Sequence, residues 1–141
     1  MAEINVKFVD GMVFIGKADT NHWVAMDTDD QFGGTEAGTK PMELLLIALG
    51  GCTGMDVVSI LRKKRTSFDK FEIKIQGSIV KDYPKYFDKI DVEYIFYGDK
   101  AIEKDVAHAI ELSEQKYCGV MNVLRRSGAQ ITTKYTIHSK E

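Results

Sequence analysis

Residues 41–65, PMELLLIALGGCTGMDVVSILRKKR, form the stretch of this chain that decides its fold. Proline is tolerated in the first turn of a helix, so Pro41 marks the place where a helix begins. The cations from Arg62 to Arg65 suit the negative end of the helix dipole, and we predict a helix from Pro41 to about Lys64. Its middle is apolar nearly all round, which predicts burial on most sides.

Two adjacent glycines, Gly50 and Gly51, interrupt this helix just before Cys52. Glycine costs roughly 1 kcal/mol relative to alanine inside a helix, so the pair needs a compensating reason. Without side chains at these positions, another backbone can approach the helix closely. The neighbour is either a second helix packed tightly at this point, or an element carrying Cys118, or a substrate. Each interpretation places something close beside Cys52.

The flanking sequence predicts strands grouped in hairpins, with helices between the groups. Alternating apolar residues indicate strands, which fall at 4–8, 12–18, 22–27, 71–75, 90–96 and 131–137. Further helical patterns follow residue 99 and occupy 120–126. The order βββ-α-ββ-αα-β is typical of an α+β fold with largely antiparallel sheets around the long apolar helix. We predict a single domain over residues 1–141, with a second subunit covering the side of the helix that the sheet leaves open.

Composition and charge argue against several classes of partner. The formal net charge is -2, so no overall field favours nucleic acid, and we interpret the cations at 62–65 as a solvated helix end. The strongly apolar run from Leu44 to Gly54 is too short to span a bilayer, so we expect no membrane partner. The first residues lack a basic segment followed by an apolar one, and we therefore expect a cytoplasmic protein.

Two cysteines, Cys52 and Cys118, are the residues most able to carry chemistry. They are not spaced as C-x-x-C, and a structural disulfide is disfavoured in a reducing compartment. Cys52 has mostly apolar neighbours in the sequence and is interpreted either as a small core residue or as a reactive thiol. Cys118 precedes a short helical segment, where the helix start favours the reactive thiolate, although an incidental buried cysteine explains the pattern equally well.

No other motif in the sequence indicates a cofactor or a metal. The three histidines, His22, His108 and His138, are scattered, and none has ligand spacing to a cysteine, so we expect no metal. The segment GGTEAG at 33–38 lacks the lysine and the glycine spacing of a phosphate-binding loop, so we expect no cofactor.

Two segments resemble one known family. KPMELLLIALGGCTGMDVVSIL at 40–61 is similar to the cysteine-bearing helix of the osmotically inducible protein C / organic hydroperoxide resistance superfamily. SEQKYCGVMNVLRRSGAQIT at 113–132 resembles the second cysteine segment of that family. The resemblance implies an intertwined α+β homodimer, with the long helices packed at its centre and the paired cysteines near the subunit interface.

The resemblance also implies thiol peroxidase chemistry in defence against oxidative stress. Cys52 would attack an organic hydroperoxide to form a sulfenic acid, Cys118 would condense with it to a disulfide, and an external dithiol would reduce the disulfide. The family's hydroperoxide reductases carry a glutamate directly after the helix-opening proline, where this chain has Met42, with Glu43 next. They also use an arginine from an N-terminal strand, whereas this chain has none before Arg62.

Those departures keep alternative functions open. Glu43 is the remaining candidate for the family's glutamate. Lys17 and Lys40 are the nearby cations available in place of the arginine, although lysine lacks the bidentate geometry of arginine. The first alternative is a module that binds an apolar small molecule. The second is a thiol–disulfide activity without peroxidase turnover. The third is a purely structural role in which the apolar helix is dimer core.

Overall fold

The computed structural model describes residues 1–139 and shows a mixed α+β fold. Within these residues it contains two three-stranded sheets, three α-helices and two short helical segments. The strands are β1 (Asn5–Asp10), β2 (Val13–Lys17), β3 (Val24–Met26), β4 (Lys70–Ile79), β5 (Phe87–Tyr97) and β6 (Gln130–His138). The helices are α1 (Pro41–Lys63), α2 (Glu103–Leu112) and α3 (Gly119–Arg126), with a 3₁₀ turn at Asp30–Phe32 and a π-helical turn at Ser113–Tyr117.

This order matches the predicted βββ-α-ββ-αα-β pattern, and α1 ends one residue before the predicted boundary. The chain forms two compact units, the first comprising Met1–Leu45 and the second beginning at Leu46. The single domain of the sequence analysis stays a prediction.

The first unit is an antiparallel meander followed by a loop that one carboxylate organises. Strands pair in the order β1-β2-β3, and Gly11 turns the first hairpin with a φ of 58°. Positive φ at this position is strained for residues with a side chain, which explains the glycine. Asp27 follows β3 and accepts hydrogen bonds from the backbone of Thr28, Thr35 and Ala37.

The second unit is built on β5, which is the middle strand of its sheet. β4 pairs with β5 antiparallel, whereas β6 pairs with β5 parallel. A parallel neighbour needs a crossover connection, and the chain supplies it with α2, the π-helical turn and α3. Ile90, Val92, Tyr94 and Phe96 of β5 are all buried. The parallel pair is the exception to the antiparallel pairing that the sequence predicts.

The glycines of α1 let the helix lie close to β4. A Cβ atom at Gly50 would lie 3.3 Å from Cδ1 of Ile75, and one at Gly54 would lie 3.2 Å from Cδ1 of Ile73. A Cβ atom at Gly51 would meet nothing within 4 Å. The close neighbour of Gly50 is therefore a strand, and neither the second helix nor the segment carrying Cys118 occupies that place.

Only one face of α1 is buried in the single chain. Its buried residues recur every fourth position, at Leu49, Thr53, Val57 and Leu61. The expectation of burial on most sides is therefore wrong for the chain alone, because Ile47 and Met55 remain 57% and 75% exposed. By length and composition α1 is apolar enough to cross a membrane, as the core helices of soluble proteins also are.

Candidate functional site

The fold of the second unit brings together two thiols that are 66 residues apart in the sequence. Cys52 lies half-buried in the middle of α1, and Cys118 lies buried between the π-helical turn and α3. The two Sγ atoms lie within 4.8 Å of one another, and both cysteines are free thiols. A dithiol whose members are distant in sequence is therefore assembled by tertiary structure.

The backbone around Cys118 fixes the direction of its side chain. The π-helical turn ends there, and Cys118 adopts extended backbone angles of -74° and 101° as the N-cap of α3. Its backbone N–H donates to the carbonyl of Ser113 at 2.8 Å. Its Sγ accepts a hydrogen bond from the backbone N–H of Met121 at 3.4 Å, which is a capping contact by sulfur.

Burial governs the protonation of Cys118. Removal from solvent, with smaller contributions from Cys52 and Asp56 and against the lowering effect of the Met121 N–H, raises the pKa of the Cys118 thiol to about 11. Cys118 is therefore a protonated thiol at neutral pH. Of the two interpretations that the sequence left open, burial favours the buried cysteine over the helix-start thiolate, because desolvation outweighs a single backbone donor.

Asp56 is a third member of the site that the sequence analysis missed. It lies one helical turn after Cys52, and one of its carboxylate oxygens is within 4.8 Å of both sulfur atoms. Residues four apart on a helix share a face, so the Cys-x-x-x-Asp spacing in α1 was the available signal. The carboxylate is held by Ser113, whose hydroxyl donates to Oδ2 at 2.9 Å.

A buried chain of hydroxyl groups supports this carboxylate. Thr53 Oγ1 lies 2.7 Å from Ser113 Oγ and 2.7 Å from the hydroxyl of Tyr94. Thr53, Ser113 and Tyr94 are each completely buried, so each hydroxyl depends on these partners. Burial raises the pKa of Tyr94 to about 12, and its phenol therefore remains a hydrogen-bond donor.

Glu43, the third site residue predicted from the sequence, makes a local contact at the start of α1. Its Oε1 accepts the backbone N–H of Lys40 at 2.9 Å, as a residue in the first helical turn often does. Lys40 itself pairs with Asp29 at 2.8 Å. A catalytic role for Glu43 stays a prediction.

Lys17, the other candidate cation, is also engaged within the first unit. Its Nζ donates to Asn21 at 2.8 Å and lies 4.7 Å from the ring centroid of Trp23. Both lysines that the sequence offered in place of an arginine therefore have partners in that unit.

An apolar groove of about 1050 Å³ runs along the open face of α1. Its floor is formed by residues of β4, including Phe71, Ile73 and Ile75. Gly51 and Met55 line its helical side, and Arg62 and Lys63 place cations at one end.

Comparison with known proteins identifies the family. The model of the family described as OsmC-like protein matches residues 33–134. Protein YhfA of Escherichia coli (strain K12) is 35% identical over 135 residues, which cover 96% of this chain and 97% of YhfA.

Solved structures share the fold. A hypothetical protein from Aquifex aeolicus VF5 matches with a TM-score of 0.86 and 28% identity, covering 100% of this chain and 98% of that one. The organic hydroperoxide resistance protein OsmC from Legionella pneumophila matches with a TM-score of 0.68 and 11% identity, covering 98% and 96%. The family match and the identity to YhfA together show that this chain belongs to the OsmC-like protein family.

Proposed function

We propose that this protein reduces organic hydroperoxides by cycling Cys52 and Cys118 between a dithiol and a disulfide. The observation that carries the proposal is the approach of the two Sγ atoms to within 4.8 Å. A disulfide requires sulfur atoms about 2 Å apart, so side-chain rotation with a small backbone adjustment must close the remaining gap. The hydroperoxide resistance named for the Legionella pneumophila neighbour supports the substrate class.

The proposed cycle balances with one peroxide and two thiols. The Cys52 thiolate attacks the distal peroxide oxygen, the O–O bond breaks, and the alkoxide leaves as an alcohol after taking a proton. Cys52 is thereby oxidised to a sulfenic acid. The sulfur of Cys118 then attacks the Cys52 sulfur, its proton joins the departing hydroxide, and water leaves as the disulfide forms. An external dithiol exchanges with this disulfide and restores both thiols.

Exposure distinguishes the roles of the two cysteines. Cys52 is half-buried and therefore accessible to a small peroxide, whereas Cys118 is only 4% exposed. The raised pKa of Cys118 keeps it protonated until a sulfenic acid forms beside it. We therefore assign the peroxidatic role to Cys52 and the resolving role to Cys118, in a reducing compartment such as the cytoplasm that supplies the dithiol.

The test is to treat the reduced protein with cumene hydroperoxide and to count free thiols while recording intact mass. We expect both thiols to disappear together with the loss of two hydrogens, and the Cys118→Ser variant to accumulate a sulfenic acid that dimedone traps. The Cys52→Ser variant should keep its remaining thiol. Survival of both wild-type thiols through an hour in millimolar peroxide would overturn the proposal.

The apolar groove favours one alternative function, the binding of an apolar small molecule. Its lining of helix and strand side chains suits a lipid-like or aromatic ligand. Native mass spectrometry of the purified protein would then show a co-purified ligand, and apolar ligands would raise the melting temperature. A ligand-free mass together with an unchanged melting temperature would count against this alternative.

We also propose that the protein is a homodimer in which a second copy covers the open face of α1. Ile47, Gly51 and Met55 recur every fourth residue along that face and are all exposed in the single chain. Monomeric proteins rarely leave a large contiguous apolar surface in water. A face with the same residues on both copies is also suited to a two-fold symmetric contact.

A further inference from the structure

Cys52, Asp56 and Cys118 together form a set of groups with the chemistry of metal ligands. The two Sγ atoms and one carboxylate oxygen lie within 4.8 Å of one another. Cys52 and Asp56 come from successive turns of α1, and Cys118 comes from the junction between the π-helical turn and α3. Three potential ligands from two segments of the second unit therefore lie close together.

The distances are close to those of a tetrahedral site. Zinc takes sulfur at about 2.3 Å and carboxylate oxygen at about 2.0–2.2 Å, which places neighbouring ligand atoms roughly 3.3–3.8 Å apart. Each pair of ligand atoms would therefore have to draw together by at most about 1–1.5 Å, which side-chain rotation can supply. Three protein ligands leave a fourth position for water, the arrangement found in zinc sites that remain open.

Ser113 orients two of the three groups at once. Its hydroxyl donates to Oδ2 of Asp56, which leaves the other carboxylate oxygen available, and its carbonyl accepts the backbone N–H of Cys118. The hydroxyl is in turn fixed by Thr53 at 2.7 Å. Metal-binding carboxylates are commonly held by such outer hydrogen bonds, which set their orientation.

The electrostatic surroundings favour a cation. Oε1 of Glu114 is buried without a hydrogen-bond partner among residues 1–139. The negative charge of Glu114 also contributes to the raised pKa of Tyr94. Arg125 is a cation in this region, but its Nη1 is directed to the backbone carbonyl of Glu114. A divalent ion between the sulfur atoms would supply the positive charge that two thiolates and a carboxylate require.

We propose that the reduced protein binds one soft or borderline divalent cation, such as Zn²⁺, through Cys52, Asp56 and Cys118. Binding replaces the thiol protons with the metal and releases two protons per ion when both thiols start protonated. The inference does not require peroxide turnover, although it uses the same two thiols. While the metal is bound, both sulfur atoms are occupied and no disulfide forms.

The test is an anaerobic titration of the reduced, metal-free protein with Co²⁺, followed by displacement with Zn²⁺. We expect binding of one ion per chain, with intense tetrahedral d–d bands and a thiolate-to-cobalt charge-transfer band that Zn²⁺ abolishes. Both cysteines should also become protected from alkylation in the wild-type protein. Absence of the charge-transfer band, or unchanged alkylation with saturating Zn²⁺, would overturn the proposal.

Variants then identify the carboxylate. Asp56→Asn keeps an oxygen that can accept from Ser113 but removes the charge, and we expect it to bind at least about tenfold more weakly. Glu111→Gln, an exposed position on α2, is the matched control and should bind as the wild type does. Equal affinity of Asp56→Asn and wild type would remove Asp56 from the site.

Peroxide consumption by the metal-free protein is measured separately. Turnover without any metal binding would overturn this inference alone. Metal binding without turnover would overturn the proposed peroxidase cycle alone.

Discussion

Asp27 shows how one side chain can organise a whole loop. Its carboxylate accepts three backbone N–H groups and the hydroxyl of Thr35, the last at 2.9 Å. The N–H groups of Ala37 and Thr28 contribute most to lowering the pKa of Asp27 from 3.8 to about 2. The loop after β3 is therefore closed around an ionised carboxylate, even though Asp27 is only 3% exposed.

This lowered pKa predicts an acid-sensitive loop. Because the pKa of Asp27 in the folded state lies below its unfolded value, its contribution to stability is complete above about pH 3.8 and is lost as the pH falls towards 2. We expect the amide resonances of Thr28 and Ala37 to titrate together by NMR with a midpoint near pH 2. A midpoint near 3.8 would contradict the hydrogen bonding described here.

A pair of variants isolates the effect of this carboxylate. Asp27→Asn should abolish that titration and lower the melting temperature, because an amide replaces an acceptor that carries charge. Asp30→Asn, at an exposed position three residues later, should preserve both properties.

At the scale of single residues, the sequence identified the two cysteines but not their surroundings. Both thiols could be selected because cysteine is rare in this chain and each lies in a distinctive local segment. The Cys-x-x-x-Asp spacing offered a signal for Asp56, but its contact with Ser113 could not be predicted, because it joins residues 57 positions apart. The protonation of Cys118 also stayed open, since local sequence indicates a helix start but not the burial that tertiary packing imposes.

At the scale of elements, the packing of α1 against β4 depends on Gly54. A Cβ atom at this position would lie 3.2 Å from Cδ1 of Ile73, which is tighter than ordinary van der Waals contact. Substitution by alanine should raise helix propensity, as at any helical glycine, but here the gain is opposed by displacement of the isoleucine. The side of the helix that faces β4 therefore has a steric requirement that its exposed side lacks.

A double-mutant cycle measures this requirement. Ile73→Val removes the Cδ1 atom and alone should cost about 0.5–1.5 kcal/mol in the free energy of unfolding. In the Gly54→Ala background it should cost less, with a coupling of at least about 0.5 kcal/mol from denaturant unfolding.

The control for this cycle is Gly51→Ala made in the monomeric Met55→Glu background, where no second copy covers this face and the added Cβ meets nothing within 4 Å. It should stabilise the protein by about 0.5–1 kcal/mol through helix propensity alone. Additive effects of the Gly54 and Ile73 substitutions, within about 0.3 kcal/mol, would show that this contact does not restrict the helix.

Element boundaries were largely predictable, whereas one strand pairing was not. Helix α1 begins at Pro41 as predicted, and the alternation at 90–96 falls within β5. These features follow from local periodicity, which the sequence displays directly. The parallel pairing of β6 with β5 follows instead from the path of the crossover, and a short alternating segment carries no information about the direction of its partner.

At the scale of the molecule, α1 leaves an apolar face exposed to water in the single chain. Ile47 and Met55 lie on this face with more than half of their surface in water. The sequence predicted an apolar helix but not which of its faces the sheet would cover, because periodicity is weak when nearly every position is apolar. We have proposed that a second copy covers this face.

Charge placed on that face should therefore separate the copies. Met55→Glu would bury an unpaired carboxylate in the proposed interface, and we expect dimer affinity to fall by at least about a hundredfold. Light scattering should give a mass near twice 15.9 kDa for the wild type and near 15.9 kDa for this variant at the same concentration.

Val123→Glu is the control for a nonspecific effect of charge on an exposed apolar residue. Val123 lies on α3 and is 65% exposed, so this variant should remain dimeric. A wild-type protein that stays monomeric at high concentration would contradict the proposed dimer.

The parallel pairing of β5 and β6 has a consequence for the order of events on the ribosome. A nascent chain presents Cys52 long before Cys118 is translated, because 66 residues separate them. β5 cannot acquire its neighbour β6 until the entire crossover has emerged. During that interval Cys52 has no intramolecular thiol to react with. We therefore expect cellular reductants, and not Cys118, to keep Cys52 of the nascent chain free of mixed disulfides.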